Sequence, residues 1–453
     1  MRKSLLPCLL VSWAAVTGLV VAQDAPRPDL DPRIEKLAAA VSEERLRQLA
    51  EKLVGFGTRH TLSDQRSPER GIGAARQWIL DEMRRSSPKL RVSFDTHTLA
   101  IQERIPREVE VRNVMAVLPG RSPRRIYVTG HYDTIAYPGG QELRNRSEPG
   151  AVLPPAFDPD EPSPGANDDG SGTVLTMELA RVFAESGLDF DATLVFMCWA
   201  GEEQGSYGAR AHVQRLAAEG IPVEANFNND VVGNPSGGDG IVDAAGVRVY
   251  SEGPEDSMSR SLARYIERIA ALYVPSHRIR LMSRHDRFNR GSDHSAFNQH
   301  GYPAVVFRES RENWARQHSV LDTVDGVDFR YLGRNARVNA AAVASLALAP
   351  PAPKVTNERD QAMLGRQPTG YDADLRWGAA PGAVAYTIYW REAWTNDWRF
   401  RQTVGNVRQH VLRNVSTDDF VFGVAAVGPG GHQSLVRAYV TVSPRDPEVK
   451  IVR

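Results

Sequence analysis

The chain has 453 residues, too many for one ordinary domain, and its length predicts two to four domains. Apolar residues make up 42% and charged residues 24%, a balance that excludes a globally disordered chain. Lysine plus arginine and aspartate plus glutamate both total 55, so the clustered basic surplus of a nucleic-acid-binding protein is not expected.

The first residues have the pattern of an export signal. Two basic residues at positions 2–3 precede an apolar stretch over 5–21, and Val20 and Ala22 place small residues before a cleavage point. This pattern predicts a signal peptide over 1–22 and a secreted or periplasmic protein. A membrane anchor is the alternative, but polar and proline residues interrupt the stretch. No later window approaches the ~18 consecutive apolar residues of a membrane helix, so no stable membrane insertion is expected.

Strand-like and helix-like segments alternate over 30–349. Amphipathic helices come first, at 37–53 and 73–83. They are followed by β-rich runs at 125–130, 191–200 and 303–307, and by helical spacing of apolar residues at 173–184 and 260–272. The alternation predicts an α/β domain whose mixed, largely parallel sheet is flanked by helices.

A proline-rich segment at 350–354 predicts a stiff linker. Beyond it the helical spacing disappears, and short β-branched and aromatic runs are separated by turn residues. This pattern predicts an all-β sandwich over 355–444.

Histidine and acidic residues collect where the predicted strands end. The segments are His131-Tyr-Asp133, Asp168-Asp169 in a glycine-rich loop, Glu202-Glu203, Asn229-Asp230 and His318-Ser-Val-Leu-Asp322. Because sites in open α/β sheets form beyond the carboxyl ends of strands, we expect these side chains to converge. Taken singly, an aspartate in a glycine loop is typical of a helix N-cap, and a glutamate pair is typical of a solvated face.

Together these residues favour a metal site. Zinc accepts histidine nitrogen and carboxylate oxygen, and two zinc ions about 3.5–4 Å apart can bind an attacking hydroxide and polarise a carbonyl together. That chemistry needs a bridging carboxylate, about two further ligands for each metal and one free carboxylate for proton transfer. The segments contain enough residues of each type for this set.

As an ordered set, the segments resemble the M28 zinc peptidases, the family that contains the secreted leucyl-type aminopeptidases. The run Arg290-Gly-Ser-Asp293-His294, followed by Gly301-Tyr-Pro-Ala, also resembles that family's pattern. The resemblance covers about residues 46–346. It implies a peptide hydrolase that holds two zinc ions per chain and acts on peptides with a free amino terminus.

The resemblance also implies a role for each residue. The metal ligands that it implies are Asp168 as the bridge, His131 and Asp230 on one zinc, and Glu203 and His318 on the other. Glu202 would be the general base that takes a proton from the attacking water and delivers it to the leaving amine. Asp133 would accept the imidazole N–H of His131 and fix its tautomer, with a solvent-facing turn as the alternative.

Two further positions follow from the resemblance. Members of the family often have a tyrosine immediately before the last histidine, where this chain has Gln317, so the group that stabilises the oxyanion is left open. Asp293 and His294 are expected on the wall of the site and not among the ligands. Arg284, Asp286 and Arg287 could contact substrate, with a salt-linked surface loop as the alternative.

The C-terminal region resembles a fibronectin type III module, through Leu375-x-Trp377, Tyr386-x-Ile-Tyr389 and Phe420-x-Phe-x-Val. Phe420 stands where such modules usually have a tyrosine. Trp394 and Trp398 are candidates for contact with a cell wall or polymer, and packing within the module is the alternative.

Other functions fit the same residues. A carboxypeptidase or dipeptidase would use the same zinc chemistry, and glutaminyl cyclisation on this scaffold would need only one zinc. A non-catalytic binding protein on a degenerate peptidase scaffold would have lost ligands, whereas this chain keeps every one that the resemblance implies.

Overall fold

The computed structural model describes residues 30–137, 158–288 and 290–440. The predicted signal peptide over 1–22 lies outside the described residues, as do the last positions of the predicted C-terminal domain. Within the described ranges, no helix is long and apolar enough to cross a lipid bilayer.

The middle layer of the first domain is an eight-stranded sheet. Its strands in chain order are β1 (Arg91–Leu99), β2 (Val109–Leu118), β3 (Arg125–His131), β4 (Thr193–Trp199), β5 (Val223–Asn229), β6 (Gly246–Ser251), β7 (Arg278–Met282) and β8 (Ala304–Glu309). Across the sheet they lie in the order β1-β2-β4-β3-β5-β8-β6-β7. The pairs β4-β3, β3-β5, β5-β8 and β6-β7 are parallel, and the other pairs are antiparallel. The predicted mixed, largely parallel sheet is therefore confirmed.

Helices cover both faces of this sheet. Those in the described residues are α1 (Pro32–Ala39), α2 (Glu43–Val54), α3 (Gly71–Ser86), α4 (Gly170–Glu185), α5 (Tyr207–Ala218), α6 (Met258–Tyr273), α7 (His294–Gln299) and α8 (Phe329–Leu348). Strand β4 shows why both faces need cover. Leu194, Phe196 and Cys198 belong to the main core, whereas the alternate residues Val195 and Met197 belong to a second core on the opposite face.

The sequence predicts one helix over 37–53, but the structure has two helices in this region, α1 and α2. Ser42 adopts an extended backbone and its side chain accepts a hydrogen bond from the backbone N–H of Arg45, so that a new helix begins after it. The sheet is also larger than predicted, because β1, β2, β6 and β7 were not anticipated. Strand β1 lies at an edge of the sheet, where polar residues alternate with partly buried ones and the apolar signal is weak.

The C-terminal region consists of antiparallel β-sheets. Its strands are β9 (Leu364–Arg366), β10 (Ala373–Arg376), β11 (Ala385–Glu392), β12 (Phe400–Val404), β13 (Gln409–Leu412), β14 (Phe420–Val427) and β15 (Arg437–Ala438). They form a three-stranded sheet, β13-β10-β9, and a four-stranded sheet, β12-β11-β14-β15. A separate apolar core that includes Trp377, Tyr386 and Phe422 supports them. The predicted all-β architecture is confirmed.

The two regions are packed against each other. Leu435 is completely buried in the main core of the first domain. Arg391 donates to Asp256 at 2.6 Å, and the hydroxyl of Ser261 donates to the backbone oxygen of Val436 at 2.6 Å. In the predicted linker, Pro350 is buried. The linker therefore joins two units that share a buried interface.

Candidate metal centre

Five histidine and carboxylate side chains, which are types that bind metals, converge at one edge of the sheet. His131 ends β3, Glu203 follows β4 and Asp230 follows β5. Because these neighbouring strands are parallel, their carboxyl ends meet. Asp168 precedes α4, and His318 lies in the segment between β8 and α8. The structure thus brings together all five residues that the resemblance implies as ligands.

The five side chains form two groups that share one carboxylate. The ligand atoms of His131, Asp168 and Asp230 lie within 4.8 Å of one another, and so do those of Asp168, Glu203 and His318. Oδ1 of Asp168 is 3.4 Å from Nε2 of His131, whereas its Oδ2 is 3.0 Å from Nε2 of His318. A carboxylate that faces two imidazoles through different oxygens has the arrangement needed to bridge two metals.

The chemistry of this centre fits zinc. Glu203 Oε1 and Asp230 Oδ1 are buried and have no hydrogen-bond partner among the described residues. A buried polar atom without a partner costs about 1–3 kcal/mol, and a bound cation would remove that cost. Nδ1 of His131 lies 3.1 Å from the backbone oxygen of Asp133, which leaves Nε2 as the ligand atom. Imidazole and carboxylate are ligands that zinc accepts.

Glu202 lies beside the two groups. Its Oε2 is 3.9 Å from Nε2 of His131, and its side chain is 15% exposed. Burial raises the pKa of Glu202 to about 7, although the nearby charge of His131 acts in the opposite direction. A carboxyl group that titrates near neutrality and reaches solvent can both accept and return a proton.

Asp133 has a different contact from the one expected. The backbone oxygen of Asp133 lies 3.1 Å from Nδ1 of His131, whereas its carboxylate is 3.7 Å away. The carboxylate instead accepts hydrogen bonds from the backbone N–H groups of Glu202 and Glu203, at 3.1 Å each. Asp133 is fully buried, and burial raises the pKa of its carboxyl group. Its side chain therefore positions the segment that follows β4, and its main chain orients the imidazole.

Two more buried carboxylates hold the backbone of the centre. Asp169 accepts from the backbone N–H groups of His131 at 3.0 Å and Val231 at 3.1 Å. Asp322 accepts from the backbone N–H of Asp168 at 2.8 Å. Both were part of the sequence motifs without an assigned role. Their position in the same motifs as the candidate ligands could have indicated a role at the site. The backbone N–H groups that they bind could not be predicted, because the fold brings them together.

The glycine-rich loop allows these segments to come close. Gly172 lies in the first turn of α4, where a Cβ atom would overlap the backbone oxygen of Asn229 at the end of β5. The side chain of Asp169 accepts from the Gly172 N–H at 2.9 Å and caps the helix. The N-cap interpretation and the metal-site interpretation of this aspartate pair are therefore compatible, because Asp169 caps α4 while Asp168 faces the histidines.

Arg59 is a functional candidate that the sequence did not reveal. Its side chain is fully buried and donates to three backbone oxygens, at 2.6 Å to Tyr132, 2.6 Å to Pro164 and 2.8 Å to Gly165. Burial lowers the pKa of Arg59 to about 10, against the raising effect of the neighbouring aspartates. This side chain joins the segment after His131 to the loop before Asp168. Nothing in the local sequence distinguishes it from a surface arginine.

Asp293 and His294 lie at the start of α7 and are both completely buried. Neither carboxylate oxygen of Asp293 has a hydrogen-bond partner among the described residues. Burial and then the charge of Glu202 raise the pKa of Asp293 well above its usual value. His294 Nε2 lies 3.1 Å from the backbone oxygen of His285. Neither residue joins the two ligand groups.

Gln317 immediately precedes His318 in the chain. Its Nε2 donates to Oδ2 of Asp168 at 2.7 Å, and its Oε1 accepts from Nη2 of Arg290 at 3.1 Å. The amide is thus fixed between a ligand carboxylate and a guanidinium. The ring of Tyr137 lies near that of His318, with ring centroids 5.7 Å apart.

Known proteins resemble this chain in sequence. Residues 113–343 match the family described as Peptidase family M28. A probable zinc metalloprotease of Pyricularia oryzae is 35% identical over 477 residues, which cover 95% of this chain and 89% of that protein. A probable zinc metalloprotease of Leptosphaeria maculans is 34% identical over 452 residues, covering 92% of this chain and 98% of that protein.

Solved structures share the fold. The Legionella pneumophila LapA aminopeptidase has a TM-score of 0.52 at 19% identity and covers 73% of this chain and 78% of that chain. The Macrostomum lignano glutaminyl cyclase has a TM-score of 0.53 at 17% identity, and the match covers 71% of this chain and 94% of that chain. At such identities these likenesses concern the fold, whereas the sequence relatives match over nearly the full length. The chain therefore belongs to peptidase family M28.

Proposed function

We propose that this chain is a two-zinc aminopeptidase, which hydrolyses the first peptide bond of peptides with a free amino terminus. The observation that carries the proposal is Asp168, whose two oxygens face His131 and His318 and connect the two ligand groups. Membership in family M28 and near-full-length relatives named probable zinc metalloproteases support zinc-dependent peptide hydrolysis.

Zinc ions held by the two ligand groups would lower the pKa of a water molecule and polarise the scissile carbonyl. Glu202 then accepts the proton of the attacking water and returns it to the leaving amine. Its pKa of about 7 makes both protonation states accessible near neutral pH. Asp133 fixes the backbone N–H groups of Glu202 and Glu203, and Asp322 fixes that of Asp168. These contacts keep the base and the bridging ligand in place during turnover.

Metal analysis and one matched substrate pair test the proposal. Purified protein should contain about two zinc ions per chain and should lose activity on chelation. Leucine p-nitroanilide should be hydrolysed, and its N-acetylated form should not, because an aminopeptidase requires the free amine. Protein that binds no stoichiometric metal, or that cleaves both substrates equally, would contradict this assignment.

A carboxypeptidase or dipeptidase with the same zinc chemistry is the second candidate. The observation that favours it is a group of arginines beside the centre, because a guanidinium suits a substrate carboxylate. Arg308 donates to Asp230 at 2.5 Å, and Arg290 contacts the amide that reaches Asp168. The p-nitroanilide pair separates the two candidates, since neither form has a carboxylate for a carboxypeptidase to bind, whereas an aminopeptidase cleaves the form with the free amine. A non-catalytic scaffold is disfavoured because all five ligand side chains converge.

We further propose that the protein is exported and that its C-terminal region is a fibronectin type III-like module. The export proposal depends on the sequence pattern over 1–22 alone. Two antiparallel sheets around one core support the module. Of the two candidate contact residues, Trp394 is 74% exposed. Trp398 packs near Tyr389, with ring centroids 6.3 Å apart. Trp394 is therefore the better candidate for contact with a cell-wall polymer.

A further inference from the structure

Four arginines line the side of the metal centre that carries Asp230. We call Arg248, Arg287, Arg290 and Arg308 the arginine wall. Arg308 is 2% exposed, and its Nη2 donates both to Oδ2 of Asp230 at 2.5 Å and to the backbone oxygen of Gly291 at 3.1 Å. This contact places the segment that begins with Arg290 directly beside a metal ligand.

The other three members of the wall share one carboxylate. Glu312 accepts from Arg248 at 2.7 Å, forms an ion pair with Arg287, and lies 3.6 Å from Nη1 of Arg290. No other carboxylate among the described residues lies within 4.0 Å of these three guanidiniums. One negative charge therefore faces three positive charges. Burial, followed by the charge of Arg308, lowers the pKa of Arg287 to about 10.

Arg290 is the most exposed member of the wall. Its side chain is 24% exposed, that of Arg248 is 20% exposed and that of Arg287 is 12% exposed. The guanidinium carbon lies 3.8 Å from the ring centroid of Trp314, a side chain that is 56% exposed. Nη2 of Arg290 donates to Gln317 at 3.1 Å, and the same amide donates to Asp168 at 2.7 Å. Arg290 is thus held on the rim, one amide group away from the ligand that connects the two zinc positions.

We propose that Arg290, supported by the charge of Arg287, forms a subsite that binds a carboxylate of the peptide substrate next to the metal centre. This inference rests on the proposed peptidase function and adds a class of substrate to it. The preferred substrates are peptides that carry a negative charge within one or two residues of the scissile bond. An extended chain advances about 3.5 Å per residue, and a single side-chain amide, that of Gln317, separates Arg290 from Asp168.

A carboxylate is the chemistry that the wall fits best. A guanidinium binds a carboxylate through two parallel N–H donors, and such charge-assisted contacts are about twice as strong as neutral ones. Nη1 of Arg290 is buried and lies 3.6 Å from Glu312, whereas Nη2 donates to Gln317, so a ligand carboxylate would meet the guanidinium at the exposed part of this side chain. The carboxylate could come from an acidic side chain or from the C-terminus of a short peptide.

Three leucyl peptides distinguish these sources. Leu-Glu-NH2 carries only a side-chain carboxylate, Leu-Gln carries only a C-terminal carboxylate, and Leu-Gln-NH2 carries neither. Leucine release by the zinc-loaded full chain gives kcat/KM for each peptide and the ratio of each charged peptide to the neutral one. The variants are Arg290→Gln, Arg290→Lys as the charge-retaining change, and Arg280→Gln as the control. Arg280 lies on β7, where it pairs with Asp243 and belongs to neither the wall nor the ligand groups.

We expect the wild-type chain to favour one charged peptide over the neutral peptide by about tenfold or more. Arg290→Gln should bring that ratio close to one, Arg290→Lys should keep part of it, and Arg280→Gln should keep all of it. The charged peptide with the higher ratio identifies the source of the carboxylate. A wild-type ratio of one, or a ratio that Arg290→Gln leaves intact, overturns the subsite.

Peptide binding separates failure of the subsite from failure of the proposed function. Calorimetry on zinc-loaded Glu202→Ala measures the affinity for the same three peptides without turnover. If leucine is not released by the wild-type chain but the affinity ratio persists and depends on Arg290, the aminopeptidase assignment fails and the subsite stands. If leucine is released from all three peptides at equal rates and their affinities are equal, the subsite fails and the aminopeptidase assignment stands.

Discussion

The carboxylate of Asp133 accepts a hydrogen bond from the backbone N–H of Glu202, with Oδ1 3.1 Å from that nitrogen. Its other oxygen accepts from the next backbone N–H, that of Glu203, at 3.1 Å. One buried side chain therefore fixes both the proposed base and a proposed ligand. The adjacent glutamates can then have different roles, because the backbone between them is held still.

Replacement of Asp133 by alanine tests this positioning role. The loss of both backbone contacts should lower kcat by about 10–100-fold, because the base is no longer held in place, while zinc is retained when it is supplied in excess. The measurement is kcat together with zinc content, and Glu185→Gln at the exposed end of α4 is the surface control. Unchanged kcat in the Asp133 variant would show that the backbone of this segment needs no such support.

Replacement of Glu202 by alanine should leave the fold and the zinc content unchanged, because Glu202 belongs to neither ligand group. The rate should nevertheless fall by about 10³-fold or more, since the proton acceptor is removed. Steady-state kinetics and metal analysis on the same preparation check both statements. Turnover at the wild-type rate would remove Glu202 from its proposed role.

Replacement of Asp168 should affect both metals, whereas replacement of His318 should affect one. Asp168 contributes a different oxygen to each group, and His318 belongs to only one of them. We expect Asp168→Ala to retain less than one zinc ion per chain after dialysis, and His318→Ala to retain about one. Mass spectrometry of bound metal measures both. Equal losses in the two variants would contradict a shared ligand.

Zinc binding should release protons. Although burial lowers the pKa of His131, the neighbouring carboxylates of Asp168 and Asp230 raise it well above the usual value, and burial raises the pKa of Glu203. Each group therefore keeps its proton to a higher pH than an ordinary side chain of its type, and each must lose it to bind zinc. The zinc affinity should fall as the pH falls. Calorimetry in two buffers of different ionisation enthalpy should give different apparent enthalpies, and identical values would exclude proton release.

Removal of residues 351–453 tests the interface between the two regions. Truncation exposes the part of the main core that Leu435 covers and removes the contact between Arg391 and Asp256. We expect the melting temperature to fall by more than about 5 °C, while the soluble fraction keeps its peptidase activity at 25 °C, because every proposed ligand precedes residue 350. An unchanged melting temperature would show that the interface contributes little stability.

Much of the fold could be predicted because the buried faces of a helix or strand require apolar residues at regular positions in its own sequence. Strand β4 is apolar on both faces, and this continuous run indicated a buried parallel strand before the helices that cover it were known. The sequence did not predict strands β1 and β2. Strand β1 lies at the edge of the sheet and is partly polar, and its pairing with β2 between residues 91 and 118 is visible only in the folded chain. The start of a second helix at Ser42 was not predicted, because the helix cap depends on the extended backbone that Ser42 adopts in the structure.

The sequence by itself determined which residue types stand at the strand ends, and the order of those motifs was enough to indicate a zinc peptidase. Only the tertiary structure decided which carboxylate faces an imidazole and which accepts backbone N–H groups. Asp168 and Asp169 are neighbours in the chain, yet the first faces two histidines and the second holds the backbone of His131 and Val231. Arg59 and Arg290 became candidates in the same way. Their partners come from distant segments, and contacts of this kind are set by packing and leave no local pattern.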